Sequence, residues 1–184
     1  MKVSVLRIGH RLIRDQRITT HAALVARAFG GDRIYMTEVD DRVKGTLEKI
    51  AKKWGGGSEF GIEIIEDWKK MVRKWKKDGG KVIHLTMYGT NIDHAITNLR
   101  KEDKVLVVIG AKKVPREMYE LADYNIAIGH QPHSEIAALA IFLDRAFNGK
   151  QLEKDFRGAK LKIIPTIKGK RVEGINDFSQ LILF

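Results

Sequence analysis

The sequence predicts an α/β protein with a mostly parallel sheet and helices on both faces of that sheet. Segments with the pattern of a strand and segments with the pattern of a helix alternate about six times. The segment 105–109 is a continuous apolar run, which is typical of a central strand that is covered on both sides. The segment 67–78 is strongly amphipathic, since Trp68, Val72 and Trp75 repeat at the spacing of one helical face. These patterns indicate a layered α/β domain.

The first half of the chain accounts for three strands and three helices. The patterns predict strands over 2–8, 33–39 and 62–65. They predict helices that follow Thr19 or Thr20 and that cover 42–54 and 67–78. Thr19 or Thr20 is the predicted N-cap of the first helix, and Gly30 and Gly31 are expected to end it.

The second half repeats the alternation and then changes character. The patterns predict strands over 81–87, 105–109 and 124–128, and helices over 91–100, 116–122 and beyond Ser134. Thr90 with Asp93 resembles a capping box, and Ser134 is a suitable cap for the last helix. Beyond residue 150 a basic β-hairpin is expected from 160–167 and 170–173. We therefore divide the chain into a main domain, 1–150, and an extension, 151–184.

Composition excludes several classes of protein. At 43% hydrophobic residues the chain can bury a sizeable core. The absence of cysteine excludes disulfides, thiolate zinc sites and a cysteine nucleophile. The longest apolar stretch, 136–143, is far below the ~18 residues that suggest a membrane span. The N-terminal apolar run is too short for a signal peptide. We therefore expect a cytoplasmic protein with no membrane partner.

The net charge favours a polyanionic partner. Lysine and arginine total 34 against 23 acidic residues, which gives +11. A domain this basic is typical of proteins that bind nucleic acid. The alternative is a charge-rich surface of the thermophile kind, which explains the 31% of charged residues better than it explains their imbalance.

Three loops are the candidate ligand site. They are 85–89, 109–114 and 128–135, and each follows the carboxyl end of an apolar strand. Ligands of open α/β sheets bind at that edge. No GxGxxG follows the first strand and no GxxxxGK[ST] occurs, which argues against a Rossmann dinucleotide site and a P-loop. His130 and His133 are too isolated to indicate a metal site, so no metal is expected.

Three motifs carry a resemblance to a known family. They are Arg14-Asp-Gln-Arg-Ile-Thr-Thr-His21, His84-Leu-Thr-Met-Tyr-Gly89 and Gly129-His-Gln-Pro-His-Ser-Glu135. With them, nearly the whole chain resembles the SPOUT methyltransferases, and within those the archaeal tRNA (cytidine-56-2′-O)-methyltransferase family. The resemblance implies a SPOUT-type fold with a trefoil knot at about 81–150, and a homodimer with sites near the subunit boundary. It also implies S-adenosylmethionine as cofactor and tRNA as substrate, methylated on the ribose of cytidine 56 in the T-loop.

The resemblance also implies a set of cofactor-binding residues in the three loops. They are Leu85, Gly110, Ala111, Lys112, Lys113, Val114, Ile128, Gly129, His130, Gln131, Pro132, His133, Ser134 and Glu135. The backbones of Gly110 and Gly129 would read the adenine edge. The side chains of Leu85, Val114 and Ile128 would sandwich its faces. Glu135 and the lysines would flank the charged end of the ligand.

The catalytic residues are less directly implied. Many SPOUT ribose methyltransferases place an arginine on the first helix, where this chain aligns Leu24. Arg14, Arg17 and Arg27 are the candidates to replace it. We favour Arg17, in a loop just before the helix, with His21 assisting, although Arg17 pairing only with Asp15 or a phosphate is the alternative.

The basic segment 7–17 and the C-terminal hairpin would bind the tRNA backbone. Two other functions stay open at this point. One is a non-catalytic RNA-binding protein on the same scaffold. The other is a methyltransferase of this fold that acts on a different RNA nucleotide.

Overall fold

A computed structural model describes residues 1–10, 15–111 and 113–175, with the side chain of residue 16 left out. Strands β1 to β6 are Lys2–Ile8, Arg33–Met36, Gly61–Ile64, Lys81–Asn91, Lys104–Gly110 and Tyr124–Ala127. Helices α1 to α6 are Gln16–Ala28, Asp41–Trp54, Trp68–Lys77, Ile92–Leu99, Arg116–Leu121 and Glu135–Phe147. Arg14 and Lys112 lie outside the described residues.

The six strands form one parallel sheet in the order β3-β2-β1-β5-β4-β6. β5 lies inside the sheet, between β1 and β4, and its alternate side chains enter two separate cores. Val105, Val107 and Ile109 pack with α1, α2, α4 and α6, while Leu106 and Val108 pack with α3 and α5. The predicted parallel sheet, with helices on both faces and a central strand at 105–109, is confirmed.

The first helix begins earlier than predicted. α1 starts at Gln16, with Asp15 at the N-cap position, and the Thr19 amide already donates to Asp15 O at 2.7 Å. The expected cap at Thr19 or Thr20 is therefore wrong. Thr19 is fully buried and its hydroxyl accepts a hydrogen bond from Arg7, so it faces the interior. Arg17 consequently lies in the first turn of α1 and not in the preceding loop.

The junction of β4 and α4 is also shifted by one residue. β4 extends to Asn91, whose side chain caps α4 by accepting from the Asp93 amide at 2.9 Å. The predicted cap at Thr90 is therefore wrong. Between Leu85 and Thr90 the pairing of β4 with β6 shifts its register, so residues 86–89 bulge from the sheet. By contrast Ser134 caps α6 as predicted, since its hydroxyl accepts from the Ile136 amide at 3.2 Å.

The C-terminal extension is fastened to the main sheet domain near the end of α2. The Gly56 amide donates to Arg157 O at 2.7 Å, and the Lys160 amide donates to Lys53 O at 3.0 Å. The Arg27 guanidinium stacks 4.3 Å above the Phe156 ring. Beyond this junction β7 (Leu161–Ile163) and β8 (Val172–Gly174) pair antiparallel, which confirms the predicted hairpin. None of the helices in the described part of the chain has the length and apolarity needed to cross a membrane.

Candidate functional site

A cavity of about 530 Å³ opens at the carboxyl edge of β4, β5 and β6. Its volume lies within the roughly 300–1,000 Å³ of small-molecule sites. All three loops proposed from the sequence contribute to its wall. The predicted residues that line it are Leu85, Gly110, Ala111, Lys113, Val114, Ile128, Gln131, Pro132, His133, Ser134 and Glu135. The structure thus brings together residues that lie up to 50 positions apart in the sequence.

The remaining predicted residues of the third loop support the wall without lining the cavity. Gly129 has φ +74°, a left-handed conformation that favours glycine. His130 Nδ1 lies 2.9 Å from Met87 O, so this side chain joins the loop to the bulge after β4. His133, which does line the cavity, has Nε2 2.7 Å from Ile128 O. These contacts hold residues 128–135 in one arrangement beside the cavity.

A buried arginine lies at one end of the cavity. Arg7, on β1, is 1% exposed, and its Nε and Nη2 donate to Glu135 Oε1 at 3.0 and 2.8 Å. Its Nη1 donates to Thr19 Oγ1 at 2.6 Å and to Gly9 O at 3.1 Å. The guanidinium therefore connects β1, α1 and the N-terminus of α6. Arg7 thus holds the side chain of Glu135, which is predicted to flank a ligand, at the wall of the cavity.

A second polar network lies in the cavity wall and joins side chains of β4, α5 and β6. Asn125 Nδ2 donates to Tyr119 O at 2.9 Å, so its Oδ1 faces His84 Nδ1, also at 2.9 Å. Because that oxygen can only accept, neutral His84 carries its proton on Nδ1 and presents Nε2 as an acceptor. Tyr119 packs edge-on against the His84 ring and its hydroxyl lies 3.2 Å from Thr86 Oγ1. His84, Thr86 and Tyr119 all line the cavity.

Burial lowers the pKa of His84 below its ordinary value of 6.5, and the hydrogen bond that His84 donates to Asn125 offsets only part of this. The unfolded chain therefore binds a proton more readily than the folded one. We therefore expect His84 to leave the free energy of unfolding undiminished above pH 6.5. We expect it to lower that free energy as the pH drops below 6.5 and through the lowered pKa. A one-unit difference in pKa corresponds to about 1.4 kcal/mol.

The variant His84→Asn tests this prediction, because an asparagine amide keeps a donor near the position of Nδ1 but does not titrate. Urea unfolding measured between pH 5 and pH 8 should show a shallower loss of stability for the variant than for the natural chain. Parallel pH profiles for the two proteins would contradict the assignment to His84.

Two of the predicted catalytic residues line a different groove. Arg17 and His21 lie on the outer side of α1 and share a groove of about 310 Å³ with Arg42 at the start of α2. Asp15 and Ile18, on the adjacent side of the same turn, line the cavity. Within one chain, Arg17 and His21 are therefore brought to each other but not to the cavity.

The groove is strongly basic, although one of its cations is already engaged. Arg42 donates to both carboxylate oxygens of Asp40, at 2.7 to 3.1 Å. These side-chain bonds, with the Arg42 amide bond to Asp40, lower the pKa of Asp40 to about 2. Arg42 is thus held in place at the groove edge, and Arg17 and His21 are exposed beside it.

Arg7, Asp15, His84 and Tyr119 also line the cavity, although they are not among the residues predicted from the sequence. One signal for Arg7 was present, because Val3, Val5 and Arg7 share one face of a strand and a charge at a core position calls for a partner. His84 had a similar signal, since it interrupts the apolar run of β4. No cluster of metal-binding side chains occurs among residues 1–10, 15–111 and 113–175.

Comparison with known proteins identifies the family. The family model described as "tRNA ribose 2'-O-methyltransferase, aTrm56" matches residues 54–173. The chain belongs to this family. A tRNA (cytidine(56)-2'-O)-methyltransferase from Nitrosopumilus maritimus is 57% identical over 173 residues, covering 94% of this chain and 97% of that protein. Proteins of the same name from Thermococcus kodakarensis and Methanocaldococcus jannaschii are 55% and 53% identical, and each covers over nine-tenths of both chains.

Solved structures confirm the fold of this aTrm56-family chain. The TrmH/SpoU tRNA modifying enzyme of A. aeolicus superposes with a TM-score of 0.58 at 14% identity, over 82% of this chain and 76% of that one. The SpoU methyltransferase AviRb from Streptomyces viridochromogenes, solved with AdoMet, gives 0.59 at 14% identity, over 80% and 57%. The predicted SPOUT-type α/β fold is therefore confirmed.

Proposed function

We propose that this protein transfers a methyl group from S-adenosylmethionine to the ribose 2′-oxygen of cytidine 56 in tRNA. The observation that carries the proposal is that the loops around the cavity lie within the region matched by the family model, residues 54–173. The relatives named for this reaction match over more than nine-tenths of the chain. The fold, the family and the position of the cavity thus support the same reaction.

The cavity has the chemistry that S-adenosylmethionine requires. Leu85, Val114 and Ile128 offer apolar surface for an adenine ring, and the Gly110–Ala111 backbone lies beside them. Glu135 supplies a carboxylate, and Lys113 an ammonium, for a ligand that carries charges of both signs. We propose that the residues expected from the sequence hold the cofactor here. When bound, S-adenosylmethionine supplies a methyl group activated by its sulfonium.

The protein's part in the reaction is to position the 2′-hydroxyl and to accept its proton or stabilise the oxygen as it attacks. Arg17 and His21 are our candidates for this role, with Arg14 as a further arginine of the same segment. The groove of Arg17 and His21 lies on the side of α1 next to the side that lines the cavity. A second subunit offers a way to bring such a groove to a cavity.

We propose a homodimer for this reason. Ile18 and Tyr88, on the rim of the cavity, are 36% and 75% exposed, and Ile141 on α6 is 43% exposed. Exposed apolar side chains around a site are typical of a subunit interface.

We also propose that the protein works in the cytoplasm, that 1–150 carries methyl transfer, and that 151–184 assists tRNA binding. The trefoil knot at about 81–150 stays a prediction.

The proposed function is tested by methyl transfer from labelled S-adenosylmethionine to unmodified tRNA, with the product located by nuclease digestion and mass spectrometry. We expect label on the ribose of cytidine 56. We expect Arg17→Ala to lower kcat by about 100-fold or more while S-adenosylhomocysteine binding persists. Label on another nucleotide would contradict the specificity, and tRNA binding without any label would favour a non-catalytic RNA-binding protein.

A further inference from the structure

A second cavity of about 520 Å³ lies beside β3, the terminal strand on the side of the sheet opposite β6. It is enclosed by α2, β3 and the C-terminal extension. Four basic side chains line it, Lys44, Lys52, Arg157 and Lys160, against one acidic side chain, Glu48. The neighbouring wall is formed by small residues at 57–58 and by Gly61. We refer to this feature as the basic cleft. Its charge fits an anionic ligand.

The charges of the basic cleft are available to a ligand. Neither Lys52 nor Lys160 forms an ion pair with any residue that the structure describes. The Nε of Arg157 lies 3.7 Å from Glu59 Oε1, and the Arg157 side chain is 90% exposed, so this ion pair is weak. Lys44 lies 4.0 Å from Glu48, which is a weak exposed pair. Few ion pairs within the protein would thus be lost when an anion binds in the cleft.

The two walls of the cleft are held together by the backbone. The segment that carries Arg157 and Lys160 is bonded to the end of α2 through the Gly56 amide and the Lys53 carbonyl. Gly55, with φ +83°, permits this approach, because a Cβ there would lie 2.5 Å from Phe156 O. The backbone segments that carry the cleft cations, in α2 and in the extension, are therefore held relative to each other, which reduces the entropy lost on binding.

The position of the cleft indicates the kind of anion. Three strands separate β3 from β4, so at about 4.8 Å per spacing these two strands lie roughly 19 Å apart across the sheet. At that distance, a small anion in the cleft would not reach the first cavity, where we propose that methyl transfer takes place. A nucleic-acid strand, whose phosphates repeat along its length, reaches both places at once.

We propose that the basic cleft binds the sugar–phosphate backbone of the tRNA away from the methylated nucleotide. This inference rests on the proposed function for the identity of the RNA. Contacts to phosphates fix register and orientation without reading bases. The cleft therefore adds affinity and aligns the tRNA, while the loops of the first cavity hold the cofactor.

The test uses the triple variant Lys52→Ala, Arg157→Ala, Lys160→Ala in the full-length protein. The matched control is Lys70→Ala, Arg73→Ala, Lys77→Ala, which removes the same charge from exposed positions on α3, on the other face of the sheet. Affinity for unmodified tRNA is measured by filter binding over a salt series. Methylation kinetics, S-adenosylhomocysteine titration and circular dichroism are measured on the same samples.

We expect the cleft variant to bind tRNA about 10- to 100-fold more weakly and to reduce the log–log salt slope by about 2 to 3. Its KM for tRNA should rise, while kcat at saturating tRNA and S-adenosylhomocysteine affinity stay unchanged. The α3 variant should change tRNA affinity by less than about threefold. An equal loss in both variants would overturn the proposal, since it would reflect net charge alone.

Unchanged tRNA affinity in the cleft variant would also overturn the proposal. Failure of the proposed function gives a different result, because the natural protein would then bind tRNA without transferring a methyl group. Filter binding does not depend on methyl transfer, so the cleft is still tested in that case.

Discussion

Arg7→Met is expected to destabilise the protein by about 3 kcal/mol and to weaken S-adenosylhomocysteine binding at least ~10-fold. The guanidinium is 1% exposed and makes four hydrogen bonds, to Glu135, Thr19 and Gly9. Methionine fills a similar volume, so the loss reflects the missing donors more than a void. This loss of stability is at the low end of the range for breaking a buried ion pair, because the Glu135 side chain is 15% exposed.

Binding should suffer as well as stability, since Arg7 positions three parts of the cavity wall. It joins β1 to Thr19 in α1 and to Glu135 at the start of α6. Arg7→Lys should recover only part of both quantities. A single ammonium cannot reproduce the planar fork that reaches a carboxylate, a hydroxyl and a carbonyl at once.

The double variant Arg7→Met, Glu135→Leu separates the two effects. Removing the carboxylate together with its partner avoids a charge left without its guanidinium, so urea unfolding should show a protein more stable than the single variant. Isothermal titration with S-adenosylhomocysteine should stay weak, because Glu135 lines the cavity. If the double variant were less stable than Arg7→Met, the ion pair would not be the source of the cost.

The order of strands and helices could be predicted from sequence because it depends on local periodicity. The apolar run 105–109 and the helical spacing of Trp68, Val72 and Trp75 are local patterns, and both elements occur as expected. The same holds for the three loops, since the carboxyl ends of parallel strands meet at one edge. Most of the residues predicted in these loops consequently line one cavity.

The errors arise where a distant partner decides between local alternatives. Thr19 has the right chemistry for an N-cap, but Arg7 uses its hydroxyl inside the protein, and the helix starts at Gln16. The partner of Arg7 is Glu135, 128 residues away in sequence. Local pattern cannot assign such a pair. Nor does it show that Arg17 and His21 face a groove separate from the cavity.

Gly89→Ala is expected to destabilise the protein by about 3 kcal/mol and to disrupt the first cavity. Gly89 lies in the bulge where β4 shifts its register against β6. A Cβ built there would lie 2.3 Å from Asn125 O and 2.6 Å from Ile126 N. Both atoms belong to the backbone, so the clash cannot be relieved by rotating a side chain.

Relief requires β4 and β6 to separate by about 1 Å, which is the distance needed to restore ordinary contact. That movement displaces Leu85, Thr86 and Tyr88, which line the cavity, and Asn125, which bonds to His84. Isothermal titration should therefore show at least ~10-fold weaker S-adenosylhomocysteine binding, and urea unfolding should show the lower stability.

Gly129→Ala is the matched control, because it adds the same methyl group in a neighbouring loop. Gly129 has φ +74°, but nothing lies within 4 Å of a Cβ built there. Its cost is conformational strain alone, about 1 kcal/mol. Gly89→Ala should thus be the more damaging of the two by about 2 kcal/mol. Equal unfolding free energies would show that the bulge absorbs a side chain, and that close packing of Gly89 on β6 does not shape the cavity.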